Sequence, residues 1–396
     1  MNPIVVQKYG GSSLADLDRI RAVAARIVET VRSGKRVVAV VSAMGGTTDE
    51  LLGRAKRISE NPNTRELDML LSVGERISTA LLSIAIDDLG VQAVSFTGSQ
   101  SGIITNARHN RARIIEVRPY RLVDELDAGR VVVVAGYQGV SYAREITTLG
   151  RGGTDTTAVA LAAALDAEYC EILSDVDGVY TADPRVVEAA KRLDSISHDE
   201  MLALARHGAR VLNQDCVEYA SRHGVAIFAK AAFGPKDDTG TVVRLNPGRE
   251  ASVVTAIAHR ERLCELTLST AGDPERLLEE LANSGAAPET CEGGGELPLR
   301  ITFPLDDAHG LDSLCERLRA SHEDALDIRT DRGSVTVVGH GLGEEPTLVR
   351  RSLSIAMATA NSSVPIQLGP LALTLTVPVD AVRETVALLH AELLEP

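Results

Sequence analysis

The sequence has no tryptophan and few aromatic residues of any kind, four Phe and seven Tyr in 396. Its cores must therefore be assembled from aliphatic side chains. Cysteine is sparse and unpatterned: Cys170, Cys216, Cys264, Cys291 and Cys315 are odd in number, far apart and without a CxxC pair. That excludes a disulfide framework and a zinc site, and the five read as buried thiols. No apolar run approaches the length of about 18 residues that a membrane helix needs. The opening Met-Asn-Pro-Ile-Val-Val-Gln-Lys lacks the pattern of a signal peptide, so the expected location is the cytoplasm, with no membrane partner. A net charge of −14 with no basic tract argues against nucleic acid. GxxxxGK[ST] is absent, which excludes a P-loop, and no GxGxxG follows the first strand, which weakens a dinucleotide reading.

What is present is a soluble globular composition, 44% hydrophobic and 24% charged, in a chain long enough for two or three domains. The chain is organised around residues 147–165, Thr-Thr-Leu-Gly-Arg-Gly-Gly-Thr-Asp-Thr-Thr followed by an alanine-rich run. A strand at Val131 to Val134 leads towards it, and a helix opens near Thr154 and Asp155, so unpaired N–H groups of its first turn form an anion site. Gly150, Gly152 and Gly153 allow close backbone approach, and Arg151 offers a planar fork for a carboxylate or phosphate. A glycine-rich turn kept for steric reasons alone is the plainer alternative.

Two further turns have the same character. Ile4 to Val6 leads into Lys8-Tyr9-Gly10-Gly11-Ser12-Ser13, then a helix whose apolar residues Leu17, Ile20, Val23, Ala24, Ile27, Val28 and Val31 share one face. Val37 to Val41 is a continuous apolar strand of the kind found in a parallel sheet covered on both sides, and it runs into Ser42-Ala43-Met44-Gly45-Gly46-Thr47-Thr48-Asp49. Residues 65–89 form a long helical pattern containing Gly74-Glu75-Arg76-Ile77-Ser78. Taken alone, a glutamate such as Glu75 reads as a solvated helix residue. After the strand Tyr169 to Leu173, the run Ser174 to Arg185 has the turn formers of a functional loop, and its acidic residues either cap turns or help hold Mg²⁺.

The glycine-rich α/β pattern stops near Asn246-Pro247-Gly248-Arg249-Glu250, where a domain boundary is expected. Beyond it the chain reads as strand 262–269, helix 273–284, strands near 286–291 and 297–303, helix 308–320 and strand 324–329. The order then repeats as strand 333–338, helix 346–360, strands 364–368 and 371–377, and helix 379–394. This predicts two ferredoxin-like units of about 65 residues in tandem.

The turns, in this order and spacing, resemble the successive motifs of the aspartate kinases: Lys8 to Ser13, Ser42 to Asp49, Gly74 to Ser78, Ser95-Phe96-Thr97-Gly98-Ser99-Gln100, Leu149 to Thr157 and Ser174 to Arg185. The resemblance implies an α/β fold, an open αβα sandwich of the amino-acid kinase type over 1–245. Two ferredoxin-like (ACT) βαββαβ units would follow, over 251–330 and 331–396. It further implies phosphorylation of L-aspartate by ATP with Mg²⁺, and a homodimer formed through the C-terminal units. By carry-over, Lys8, Tyr9, Gly10, Gly11, Ser12, Ser174, Asp175, Tyr180, Arg185 and Lys230 attend the nucleotide. Ser42, Thr48, Glu75, Arg151, Gly152, Gly153 and Thr154 attend aspartate, with Arg151 on the α-carboxylate and Glu75 on the ammonium. Asp155 lies near metal and phosphates and counts with Lys8 as catalytic, while no metal-ligand set is assigned. Such chemistry suits the composition, because an ionised carboxylate nucleophile needs no general base and the site must only neutralise and align two anions.

Departures from the family pattern are local. Asn213-Gln214-Asp215-Cys216 reverses a charge where the family commonly has arginine, and Ala231-Ala232 replace two hydroxyl residues. The turns around Pro274 and Pro346 lack the glycine that follows proline in feedback-inhibited relatives, which predicts weak control by lysine or threonine. A dedicated role in a specialised pathway, a sibling kinase acting on another carboxylate and a non-catalytic amino-acid sensor remain as alternatives.

Overall fold

The computed structural model describes residues 2–235, 240–248, 253–284, 286–305 and 311–395. Its chain forms two compact units: Met1–Val179 with Arg192–Leu202 and Arg210–Arg249, and Tyr180–Lys191 with Ala203–Ala209 and Glu250–Pro396. Arg249 and Glu250, part of the expected boundary, lie outside the described residues.

The first unit is built on an eight-stranded sheet in the order Ser195–Ser197, Thr241–Arg244, Ile227–Ala231, Tyr169–Ser174, Ile4–Tyr9, Arg36–Val41, Val131–Ala135, Ala93–Phe96. All neighbours are parallel except Ile227–Ala231 with Thr241–Arg244. The valine-rich runs at its centre are buried along their whole length, as strands covered on both faces must be. On one face, Val5 and Tyr9 pack into an aliphatic core with Ile20, Val23 and Ile27 of the helix Leu17–Arg32. Lys8, between them in register, points to the other face and reaches the helix Gly153–Ala164. The expected αβα sandwich is therefore observed.

The expected strand before the glycine loop is extended to Val131–Ala135, but it does not lead directly into that loop. A second, four-stranded sheet, Ile114–Val117, Ile103–Thr105, Gln138–Ser141, Ile146–Thr148, intervenes, and its last strand delivers the chain to Gly150. The helical pattern at 65–89 is two helices, Thr64–Leu71 and Val73–Asp88, meeting at Ser72. Together they are long and apolar enough to cross a membrane, contrary to the sequence expectation, yet half of the stretch is buried within the protein and it carries Asp68 and Glu75 in its interior. That burial is the mark of a core helix.

The second unit has one six-stranded antiparallel sheet, ordered Thr290–Gly294, Leu297–Pro304, Ala256–Leu268, Leu326–Val338, Ala372–Pro378, Ile366–Leu368. Two ferredoxin-like units share it, but they are not in tandem. The strands expected at 262–269, 324–329 and 333–338 are parts of two 13-residue strands. The segment Ala256–Arg260, which precedes the first unit, pairs with Ser334–Val338 and supplies the closing strand of the second. The first unit is thus nested inside the second, and register shifts between Arg260 and Glu265 mark where the long strand passes from one to the other. Each has its own aliphatic core, one around Leu266, Leu277 and Phe303 and one around Val335, Leu375 and Leu389. Ala182 and Val187 belong to the latter, and Ile257 N–H donates to Thr181 C=O at 2.7 Å, so the chain first joins this unit at Tyr180, far ahead of the expected boundary. Four of the five cysteines are buried thiols, while Cys291 is exposed.

Candidate active site

In a parallel sheet, loops that follow the strands gather along one edge, and that edge is where ligands bind in open α/β folds. Here the loops after Ile4–Tyr9, Arg36–Val41, Val131–Ala135 and Tyr169–Ser174 share it. The first two are tied together, since Ser42 N–H donates to Tyr9 C=O at 3.1 Å and Gly45 N–H to Gly11 C=O at 3.0 Å. Lys8 Nζ, nearly buried, lies 2.6 Å from Asp155 Oδ1 in the first turn of the helix Gly153–Ala164. This pair joins the first strand to the glycine loop.

Gly152 caps that helix with φ of 75°, and a Cβ there would come within 2.2 Å of Asn213 Nδ2. No other residue fits. Asn213, in the segment that departs from the family pattern, donates from Nδ2 to the Arg151 carbonyl at 3.3 Å while its Oδ1 accepts Asp215 N–H at 2.9 Å. The helix terminus is less open than its sequence suggests, because Gly153 N–H donates to Gly150 C=O at 3.0 Å and Asp155 N–H to Gly152 C=O at 3.1 Å. The cations at this end are Lys8 and Arg151, and the exposed Arg151 pairs with no carboxylate among the described residues.

Ser42 Oγ bonds Thr154 Oγ1 at 3.0 Å. At Gly74 a Cβ would meet Ala43 Cβ at 2.7 Å, and this close approach lets the helix Val73–Asp88 place Glu75 Oε1 where it accepts Ala43 N–H at 3.1 Å. Glu75 is 3% exposed. Burial pushes its carboxyl up to about 7, partly offset by backbone hydrogen bonds, and Oε2 has no hydrogen-bond partner among the described residues. It is no solvated helix residue. Thr48 is half-buried in the first turn of Thr47–Ile58, Ser12 is exposed beside Gly10 and Gly11, and Ser174 and exposed Asp175 sit where their strand ends.

Four residues expected to attend the nucleotide, Tyr9, Lys230, Tyr180 and Arg185, differ in setting. Tyr9 is wholly buried, its hydroxyl donating to Gln7 Oε1 at 3.2 Å, because alternation along the strand turns it away from Lys8. Lys230 Nζ reaches Glu171 Oε1 at 2.7 Å, and Glu171 Oε2 accepts from Gln7 Nε2, so this lysine belongs to the face opposite Lys8. Tyr180 and Arg185 fall in the second compact unit, where Arg185 binds Asp183 through Nε and Nη2.

One group escaped the sequence reading. Asp68, fully buried in Thr64–Leu71, accepts from His109, Asn110 and Thr148. An aspartate in an amphipathic helix carries no local sign of such burial, and its partners are about 40 and 80 residues away along the chain.

Residues 3–229 match the profile of the amino acid kinase family. An aspartokinase of Mycolicibacterium smegmatis is 55% identical over 269 residues, 67% of this chain and 63% of the relative. The matched stretch thus spans 63% of that relative's length. An aspartokinase of Thermus thermophilus is 38% identical over 397 residues, 98% of each chain. Among solved structures, E. coli aspartokinase III in complex with aspartate and ADP (R-state) superposes with a TM-score of 0.83 at 25% identity, covering 99% of this chain and 100% of that one.

Proposed function

Because the chain belongs to the amino acid kinase family, we propose that it transfers the γ-phosphoryl group of ATP to the β-carboxylate of L-aspartate, yielding 4-phospho-L-aspartate. The observation that carries this reading is the Lys8–Asp155 pair at the joint of the first strand and the glycine loop. A cation held in a nearly dry site acts on transferring phosphate far more strongly than one in water. Lys8 counters the charge that builds on the phosphoryl oxygens, and Gly10, Gly11 and Ser12 beside it, with Ser174 and Asp175 at the neighbouring strand end, form the nucleotide edge. The substrate's β-carboxylate, with a free pKa of about 3.9, is ionised already and needs no base. Ionised Glu75 receives the α-ammonium, Arg151 the α-carboxylate, and Ser42, Thr48 and Thr154 line the space between them.

Mg²⁺ fits this donor set: among the described residues no three His, Cys, Asp or Glu side chains gather as a metal cage, and Mg²⁺ is commonly held by one or two carboxylates with phosphate oxygens supplying the rest. Asp155 is the carboxylate in place, and the ion would neutralise phosphate charge. Residues 1–245, apart from the segments 180–191 and 203–209 that join the second unit, then form the catalytic domain and 251–396 the ACT-type part, through which two cytoplasmic chains pair. A coupled ADP-release assay with aspartate, glutamate and acetylglutamate side by side tests the activity, and release that ignores aspartate overturns it. Light scattering on the same preparation tests the pairing, and a monomer well above micromolar concentration refutes it.

A further inference from the structure

Asp68 has no obvious reason to be where it is. It is fully buried in the helix Thr64–Leu71, and no lysine or arginine among the described residues offsets its charge. Instead three donors converge on it. His109 Nδ1 lies 2.6 Å from Oδ2, Asn110 N–H donates to Oδ1 and Oδ2 at 3.1 and 3.2 Å, and Thr148 Oγ1 donates to Oδ1 at 2.5 Å. Buried carboxylates persist only where such donors replace water.

The partners lie on two segments that meet nowhere in sequence. His109 and Asn110 belong to the excursion between the strands Ile103–Thr105 and Ile114–Val117. Thr148 ends the strand Ile146–Thr148, one residue before Leu149 and two before Gly150. The same two segments are stitched again by Ala112 N–H to Thr148 C=O at 2.9 Å and by Thr105 Oγ1 with Thr147 Oγ1 at 2.5 Å. A Cβ on Gly150 would lie 3.3 Å from the Asn110 carbonyl, so the excursion packs directly against the first glycine of the loop that carries Arg151.

From this convergence we propose that Asp68 is a positioning residue for substrate selection: through Thr148 and the His109-Asn110 excursion it fixes the height of Arg151 over the site. Asp68 itself touches no substrate. The inference rests on the aspartate-kinase reading. Displacement of Arg151 by about 1 Å is enough to change the handling of a bound carboxylate by tenfold or more. Lys8 stands on a different strand and meets the helix after the loop through Asp155, so nucleotide handling changes much less.

The test compares kcat and KM for aspartate and for ATP in the full chain and in Asp68→Asn, Thr148→Val and Thr148→Ser, with thermal unfolding of each. In Asp68→Asn the new amide sets donor against donor while keeping the shape, and Thr148→Val removes the hydroxyl at equal volume. Aspartate KM is expected to rise about tenfold in both, with ATP KM within about twofold of the parent, and Thr148→Ser is expected to restore it. Unchanged aspartate KM in variants that fold normally overturns the proposal. So does a loss in which kcat and both KM values move together with the unfolding temperature, since that marks a purely structural carboxylate. If Asp68→Asn does not fold, His109→Gln, on a side chain 20% exposed, makes the same comparison. A parent chain that releases no ADP with aspartate refutes the activity itself, and this inference falls with it.

Discussion

Two lysine–carboxylate pairs lie on opposite faces of the same sheet, and their distances are almost equal. Lys8 and Asp155 are 2.6 Å apart with side chains 11% and 13% exposed, and Lys230 and Glu171 are 2.7 Å apart at 16% and 7%. What separates them is the company they keep. The second oxygen of Glu171 accepts from Gln7 Nε2 at 2.8 Å, and Gln7 in turn bonds Tyr9 and Thr30, so that pair is tied into a chain of side-chain hydrogen bonds. Among the described residues no further side-chain hydrogen bond ties Lys8 or Asp155, and the pair stands beside glycine loops at the strand-end edge of the sheet. Geometry of a pair alone does not mark a site; donor capacity left over at a rim does.

The comparison breaks most visibly under substitution. Lys8→Ala is expected to lower turnover by at least about a hundredfold with little loss of stability, the scale of losing one preorganised charge-stabilising group. Lys230→Ala should do the reverse, costing about 3 kcal/mol of stability because Glu171 is left buried without its cation, while turnover per folded molecule stays within a few-fold. Steady-state kinetics beside denaturant unfolding of both variants checks this, and loss of turnover in Lys230→Ala at full stability would erase the distinction.

Arg151 sharpens it on the substrate side. Arg151→Ala should weaken aspartate binding by about 2 kcal/mol, the low end for a charge partner because its guanidinium is exposed, and leave ATP affinity unchanged. Calorimetric titration of both ligands decides; equal losses would make Arg151 a phosphate ligand.

Glu75 contributes a pH signature. Its carboxyl, raised to about 7 by burial, goes from mostly protonated to mostly ionised between pH 6 and 8, so aspartate affinity should rise by about tenfold over that interval and Glu75→Gln should flatten the profile. Stability runs the other way. Between the unfolded value of 4.5 and the folded value of about 7 the native state binds more protons than the unfolded one, so stability declines as pH rises through that window and Glu75→Gln removes the decline. A pH-independent aspartate affinity in the parent would show that Glu75 does not meet the ammonium.

The smallest expected effect is an absence. Lysine and threonine, alone or together, should leave the activity nearly unchanged at concentrations of about 1 mM, because Pro274 and Pro346 open their helices without a following glycine for close backbone approach. Inhibition curves on the purified chain check it, and half-inhibition well below that concentration would show a working effector pocket.

Much of this was legible in the residues, for physical reasons that differ from place to place. Lys8, Gly152 and Asp155 could be read because a strand, a glycine turn and a helix start leave local signals within a few residues of one another. That Lys230 and Tyr9 turn their side chains away from Lys8 is not legible, because period-two alternation sends neighbours to opposite faces and a motif written as a string does not record which face each residue takes. That Tyr180 and Arg185 stand in a segment joining the second unit is not visible in the sequence, because Ala182 and Val187, which pack it there, are isolated apolar side chains in a loop without periodicity. Asp68 was invisible because its burial depends on a histidine and a threonine far along the chain.

The interleaving of the two ferredoxin-like units has a consequence for how the chain can be divided. Arg260 meets Ser334 across the whole of the inner unit, so the outer one has its two ends on either side of its guest, like brackets around a clause. A cut after residue 330 leaves the downstream piece without its closing strand. The inner unit, made of nearer neighbours, can assemble first, and bringing Ala256–Arg260 onto its partner closes a loop whose entropic cost grows only slowly with length. Excising the inner unit and rejoining Arg260 to Ser334 is thus the dissection this topology permits, whereas severing the halves in chain order is one it forbids.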